Sequence, residues 1–269
     1  MKTKSVIFLL ILATLMGSCK KDKQEEVKSR MLIHFEHKVD GEPLIKDQMI
    51  YTNAAGNVYE VTEVIYFISD LKLHRNDGTV VEPATWNDIH YIDTNDSLTF
   101  TRVLPGDIPA GTYDSITFIF GISKDKNRTY LFNDPPEVNM AWPDVLGGGY
   151  HYLMINGWWL DTENARKSYN FHLGIGQTYD EHGTISGFIQ NYFTVKPIGA
   201  GFETEELMLI EATITMHIEN WFQNPHIYDH NEWGGAIMQN QAAMQMGCEN
   251  GIDVFAVEYT LHPHHFALE

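Results

Sequence analysis

Histidine is the residue type whose number and spacing most suggest chemistry in this sequence. The chain has thirteen histidines and eleven methionines in 269 residues. Neutral imidazole binds borderline transition metals, and thioether sulfur is a soft ligand that suits Cu(I). His151 and His172 fall in successive predicted strands joined by a connection of about ten residues, so one ion can bridge both rings if the strands pair. The sequence predicts a copper site at Met140, His151 and His172; the alternative is two buried, hydrogen-bonded histidines.

The predicted copper site binds about one ion, with Cu(I) preferred if Met140 takes part. Imidazole binds metals in its neutral form, and the ordinary pKa of histidine is about 6.5. The affinity is therefore expected to fall below about pH 6.

The other histidines give weaker signals. His34 and His37 are three residues apart, which places them on opposite faces of a strand and argues against a chelate. His226 and His230 lie in a polar segment, where a functional role and simple exposure both remain open. The tail histidines are expected to be solvated, with weak metal binding as the alternative: His262, His264 and His265.

Enzyme signatures and nucleic-acid features are absent from the sequence. The chain contains no G-x-S-x-G, H-E-x-x-H, P-loop or C-x-x-C motif, so no catalytic residues are predicted and the protein is not expected to be an enzyme. Its formal net charge of −18 repels nucleic acid and anionic lipid but tolerates cations.

The N-terminus predicts export and a lipid anchor. Lys2 and Lys4 precede an apolar run from residue 5 to 16, which is too short to span a bilayer in the mature protein. The run ends in Leu15-Met16-Gly17-Ser18-Cys19, which resembles a bacterial lipobox. We therefore expect a signal peptide over residues 1–18, lipidation of Cys19, and a charged tether over residues 19–30. This places the protein in the bacterial cell envelope, attached to the outer membrane by its lipid alone and facing the periplasm or the surface. An ordinary signal peptide is the alternative.

The remainder of the chain, residues 31–269, is predicted to be all-β: a single antiparallel β-sandwich with a short helix near its C-terminal end. Apart from Cys19 the only cysteine is Cys248, so a disulfide scaffold is excluded. The helix is expected near residues 235–246. The predicted strands are rich in β-branched and aromatic residues: 31–37, 61–74, 113–123, 150–160, 168–176, 185–195 and 207–218.

An aromatic stretch from Asn139 to Trp159 surrounds the triple glycine Gly147 to Gly149. Its rings are predicted either to pack the sandwich or to face a ligand such as a glycan: Trp142, Tyr150, Tyr152 and Trp158, with Trp159 as an alternative core residue to Trp158. The glycines would allow a sharp turn into a strand. Strand alternation would place His151 on the opposite face from Tyr150 and Tyr152.

Four segments in order resemble the MbnP-like family of bacterial periplasmic and surface proteins, which includes methanobactin-associated and copper-repressible copper-binding proteins. They are "VIYFISDLKL" (64–73), "IPAGTYDSITFIFGI" (108–122), "MAW…GGGYHYLMINGWW" (140–159) and "NFHLGIG" (170–176). The segments at 214–222 and 235–257 resemble members with a C-terminal extension. The resemblance implies a β-sandwich, copper handling, and a partner that is a copper transporter or a di-haem peroxidase, which in some members oxidises a tryptophan beside the metal to kynurenine.

One position departs from the family pattern. The resemblance implies a Trp-x-His pair in the strand that here reads Phe67-Ile68-Ser69. Phenylalanine cannot form kynurenine, and a neutral serine is a poor copper ligand. The leading hypothesis is thus an extracytoplasmic lipoprotein that binds copper for acquisition, buffering or delivery. The alternative is a surface lipoprotein that binds a glycan or protein through aromatic residues, without metal.

Overall fold

The computed structural model describes residues 28–83 and 88–263. The predicted signal peptide, Cys19, His264 and His265 lie outside the described residues. The strands are β1 (Arg30–Val39), β2 (Glu42–Pro43), β3 (Tyr51–Thr52), β4 (Val58–Arg75), β5 (Val80–Val81), β6 (Ile89–Asp93), β7 (Thr101–Val103), β8 (Gly111–Phe120), β9 (Leu153–Leu160), β10 (Arg166–Leu173), β11 (Gly176–Tyr179), β12 (Ile185–Ile189), β13 (Phe193–Val195), β14 (Phe202–Thr204), β15 (Met208–His217) and β16 (Phe255–Pro263).

Two sheets pack face to face, as predicted for an all-β sandwich. The larger sheet has the order β10–β9–β4–β8–β13, with β3, β5 and β6 also paired to β4 and β14 to β8. The smaller has the order β16–β15–β1–β2, with β7 also paired to β1, and β11 and β12 form a separate hairpin. Rings from both sheets meet in the core, where Phe255 of β16 contacts Tyr66 of β4 and Phe118 of β8.

The strand pairs of the described residues are predominantly antiparallel, as predicted, with one parallel pair between named strands. β1 pairs with β15 in parallel, from Arg30 opposite Leu209 to Lys38 opposite His217. A parallel pair requires a long crossover connection. Here the connecting segment contains every strand of the larger sheet. The N-terminal boundary also differs, because Ser29 of the predicted tether is buried and forms a bridge to Ile108.

Two predicted strands are interrupted by polar groups. The segment 185–195 divides into β12 and β13, which belong to different sheets. Between them Asn191 donates its side-chain amide to the carbonyl of Gly174, a local bond that competes with strand pairing. The segment 168–176 likewise ends as β10 at Leu173, and β11 starts at Gly176.

The C-terminal helix begins later than predicted. It is α2 (Gln241–Asn250), and Asn240 caps its N-terminus by accepting from the amide of Ala243. Gly234 and Gly235 are poor helix formers, which explains the later start. A separate four-residue helix, α1 (His230–Trp233), precedes these glycines. Within the described part of the chain, no helix has the length and apolar character needed to cross a membrane. Short 3₁₀ turns occur at Ser97–Phe100, Glu137–Met140, Asp144–Leu146, Ile218–Phe222 and Gly251–Asp253.

Candidate metal centre

The predicted metal residues lie on the outer face of the larger sheet. In β9 the alternate residues Leu153, Ile155 and Trp159 are buried towards the core, which places Met154 and Asn156 on the outer face. His172 of β10 shares that outer face. It is nevertheless only 8% exposed, because the segment that ends at His151 covers it.

The covering segment folds back on itself at the triple glycine. Ala141 forms a bridge with Tyr150, and the amide of Trp142 donates to the carbonyl of Gly149 at 2.8 Å. The three glycines all have positive φ, at 121°, 68° and 76° for Gly147, Gly148 and Gly149. The glycines therefore form the sharp turn expected from the sequence.

His151 lies two residues before the start of β9 rather than within it, which differs from the predicted strand. Its ring stands edge-on to Trp142, with centroids 4.6 Å apart. Its Nδ1 lies 2.9 Å from the carbonyl oxygen of Met140. A carbonyl only accepts, so Nδ1 carries the proton, and Nε2 of the neutral ring has a free lone pair.

The protonation of His172 is fixed by two further residues. Asn156 donates its side-chain amide to Glu63 at 2.8 Å, so its oxygen faces His172 Nε2, also at 2.8 Å. Nε2 must therefore be the donor, and the lone pair of the neutral ring is on Nδ1. That Nδ1 is buried and has no hydrogen-bond partner among the described residues. A buried nitrogen with an unused lone pair is a candidate ligand atom.

The spacing of the two rings is compatible with both binding one ion. Their centroids are 5.1 Å apart and their planes are at 85°. Histidine nitrogens bind a metal such as zinc at about 2.0–2.1 Å, and an ion at that distance from one nitrogen of each ring fits this separation. Each ring also donates its other nitrogen to a carbonyl or amide oxygen, as metal-binding histidines commonly do.

Burial keeps both imidazoles neutral. Burial, together with a smaller effect of the neighbouring His151, lowers the pKa of His172 to about 3. Burial also lowers the pKa of His151, against the opposing effect of its hydrogen bonding to the backbone of Met140 and Ala141. Both shifts favour the neutral, metal-binding form of the rings, and the pH dependence of copper affinity stays a prediction.

Two methionines are neighbours of the histidine pair through the backbone. Met140 is buried, and its carbonyl accepts from both the amide and Nδ1 of His151. Sequence reasoning missed Met154, which lies directly opposite His172 in the β9–β10 pair. Directly opposite residues have Cβ atoms about 4.5–5.5 Å apart. Among the described residues, no group of three or more histidine, cysteine, aspartate or glutamate side chains is arranged to hold a metal.

The position of the implied Trp-x-His pair does not fit a metal. Phe67 is fully buried and stacks on Phe132 with centroids 5.6 Å apart. Ser69 is also buried, and its hydroxyl donates to the carbonyl of Gly121 at 3.0 Å. Both side chains have structural roles.

The aromatic stretch packs the interior rather than facing a ligand. Trp142, Tyr150 and Tyr152 are 2%, 1% and 0% exposed. The Tyr150 hydroxyl donates to the carbonyl of Phe132, and Trp142 donates to that of Leu146. These three residues therefore offer no stacking surface for a glycan, contrary to that alternative. Trp158 is half-buried beneath Arg166, and Trp159 is the buried neighbour.

The remaining histidines lie apart from the candidate site. His37 faces the interior while His34 contacts Thr101 at the surface, as the strand argument predicted. His226 pairs with Glu249, and His262 lies 3.5 Å from Glu211. His230 is fully buried, which neither interpretation of its polar segment anticipated.

Comparison with known proteins identifies one family. The sequence profile of the MbnP family matches residues 28–240. A solved structure, MbnP from Methylosinus trichosporium, is similar with a TM-score of 0.53 and 13% sequence identity, over 86% of this chain and 98% of that chain. At this identity the structural likeness concerns the fold. No match was found among curated proteins.

Proposed function

Because the chain belongs to the MbnP family, we propose that it binds one copper ion at His151 and His172 and acts as an extracytoplasmic lipoprotein in copper acquisition, buffering or delivery. The observation that carries the proposal is the pair of adjacent neutral imidazoles. Their proton-free nitrogens, Nε2 of His151 and Nδ1 of His172, belong to rings with centroids 5.1 Å apart.

Cu(I) is the favoured oxidation state. Both histidines are buried; Met140 contacts His151 through its carbonyl and Met154 is paired with His172, and a thioether sulfur from either would favour Cu(I). Glu63 and Asn156 orient His172 but do not themselves bind the ion in this proposal. The acidic surface raises the local cation concentration and adds only weak, salt-sensitive binding.

The test is an anaerobic Cu(I) titration against a chromophoric chelator, at moderate ionic strength and without an affinity tag. His262, His264 and His265 are changed to glutamine throughout, so that the tail does not compete. We expect one tight ion in the parent and loss of that ion in His151→Ala/His172→Ala. The matched control His34→Ala/His226→Ala also removes two histidines and should retain it. Equal affinity in the two double variants would rule out this site.

The partner belongs to the same proposal, as a copper-transport protein or a di-haem peroxidase-type enzyme. Trp142 is the tryptophan that contacts His151, whereas the position implied by the family holds Phe67. Mass spectrometry of the peptide that carries Trp142, from natively purified protein, separates the two partners. An oxidised Trp142 supports the peroxidase type, and an unmodified Trp142 argues against it.

A further inference from the structure

A cavity of about 570 Å³ opens at a break in the edge of the smaller sheet. On this edge of β1, β7 pairs with residues 32–34 and β2 with residues 38–39, so Phe35 and Glu36 lie opposite neither strand. The cavity lies at this gap, and its volume is within the range of small-molecule sites. It is separate from the candidate metal centre, which lies on the outer face of the other sheet.

The cavity has an apolar lining and one cation, Lys46, that forms no ion pair with a carboxylate of the described residues. Phe35, Pro43, Leu44 and Phe100 supply the apolar part. Lys46 Nζ donates to the carbonyl of Thr94 at 2.7 Å and to the side-chain oxygen of Asn95, which are both neutral acceptors. An ammonium has three N–H donors, so one remains for another acceptor. The other acid and base of the lining, Glu36 and Lys38, pair with each other at 2.8 Å.

A second polar group of the lining lacks a partner. His37 is 8% exposed, and its Nε2 is buried without a hydrogen-bond partner among the described residues. Its ring packs against Phe100, with centroids 5.2 Å apart. A buried polar atom without a partner is costly unless a bound group satisfies it.

We propose that this cavity binds a small amphipathic monocarboxylate, whose acid group accepts a hydrogen bond from Lys46 and whose apolar body packs against Phe35, Leu44 and Phe100. A single available ammonium suits one negative charge better than a polyphosphate. The apolar lining requires a ligand with little polar surface beyond the acid.

The test compares two probes of nearly equal shape by calorimetry on the full chain: 3-phenylpropanoate and its neutral amide, 3-phenylpropanamide. A hydrogen bond to a charged group contributes enough for a discrimination of about tenfold or more. We expect the carboxylate to bind at least that much more tightly than the amide. Leu44→Trp, which fills the cavity, should abolish binding of both probes.

The lysine is tested with a matched pair of variants. Lys46→Gln keeps a donor for Thr94 but removes the charge, and it should weaken carboxylate binding about tenfold without changing amide binding. Lys124→Gln alters an exposed lysine outside the cavity and should change neither. Equal affinity for the two probes, an unchanged affinity in Lys46→Gln, or no carboxylate binding at millimolar concentration would each overturn the proposal. The probe comparison on the unaltered protein decides the question even if a variant fails to fold.

Discussion

At the scale of the residue, hydrogen-bond partners distinguish His151 and His172 from the other histidines. A carbonyl fixes the proton of His151 on Nδ1, and Asn156, itself held by Glu63, fixes the proton of His172 on Nε2. The two lone pairs follow from these assignments. A change to an orienting residue should therefore weaken copper binding although it removes no ligand.

Asn156→Leu tests this orientation. The substitution removes the acceptor of His172 Nε2–H but leaves both imidazoles in place. Loss of such an orienting partner typically costs about 10–100-fold in metal affinity, and we expect a decrease of that size in Cu(I) chelator competition. The control is Asn170→Ala, because Asn170 lies opposite Asn156 in the β9–β10 pair but is exposed. An affinity in Asn156→Leu equal to that of the control would show that Asn156 does not position the site.

His230 gives the stability of the protein a pH dependence. It is fully buried among Tyr169, Phe222 and Tyr228, and neither ring nitrogen has a partner among the described residues. Burial lowers its pKa to about 4, against about 6.5 in the unfolded chain. Between these values the unfolded state holds a proton that the folded state does not. Stability therefore falls as pH drops from about 6.5 to about 4, and no cost arises at higher pH.

His230→Phe should remove this contribution, because a phenyl ring suits the aromatic surroundings and does not titrate. The free energy of unfolding of the variant minus that of the parent should be about 2 kcal/mol larger at pH 5 than at pH 7.5. Urea unfolding at the two pH values measures this change. The exposed His182→Gln is the control variant. A parallel pH dependence in parent and His230→Phe would contradict the assignment.

At the scale of the element, the β9–β10 hairpin and the folded-back segment before β9 bring the site together. The short connection predicted that His151 and His172 lie close, and the triple glycine predicted the turn. Glu63 and Asn156 could not be found in this way. A bulge between Val61 and Glu63 shifts the register of β4 against β9, and a period-2 sequence pattern does not reveal an added residue. The end of the C-terminal helix could not be predicted from local sequence either, because the helix continues past Gly247, which contacts Phe171 and Leu173 of β10.

Gly247→Ala tests the packing of that helix. The sequence suggested that the helix stops at Gly247, but α2 continues to Asn250, and the glycine packs closely on β10. An added Cβ would lie 2.6 Å from Phe171 Cζ and 3.1 Å from Leu173 Cδ2. Overpacking of this kind costs about 1–3 kcal/mol, which outweighs the helix-propensity gain of about 1 kcal/mol. Urea unfolding should show a net loss, whereas Gln245→Ala on the exposed side should be near neutral. A stabilised Gly247→Ala would indicate looser packing.

At the scale of the whole molecule, the sequence predicted the two-layer β architecture but not its parallel pair. Each strand carries its own apolar pattern, so the number and type of elements follow from local sequence. The pairing of β1 with β15 joins segments about 180 residues apart, and no local pattern indicates its direction. The burial of the aromatic stretch could not be predicted for a similar reason. Alternation along a strand places the rings on one face, but it does not say which face other segments cover.

Membrane attachment is a prediction that rests on the N-terminal sequence. We expect Cys19 to carry the lipid, and Cys19→Ala should move the protein from the membrane fraction to the soluble fraction. Fractionation with mass spectrometry of the mature N-terminus measures both outcomes, with Cys248→Ala as the control. Cys248 lies within the fold, where burial raises its pKa to about 12, so it is a poor nucleophile. A mature chain that starts elsewhere, with residue 19 unmodified, would refute the anchor.

The central claim is that one copper ion binds between Nε2 of His151 and Nδ1 of His172. The most direct measurement is ¹⁵N NMR of the histidine rings before and after addition of one equivalent of Cu(I). In the free protein we expect protons on Nδ1 of His151 and Nε2 of His172, in keeping with the carbonyl of Met140 and the amide of Asn156 as acceptors. Copper should then shift the two other nitrogens, with the remaining histidines unchanged. The opposite protonation in the free protein, or copper-induced shifts confined to other histidines, would contradict the account.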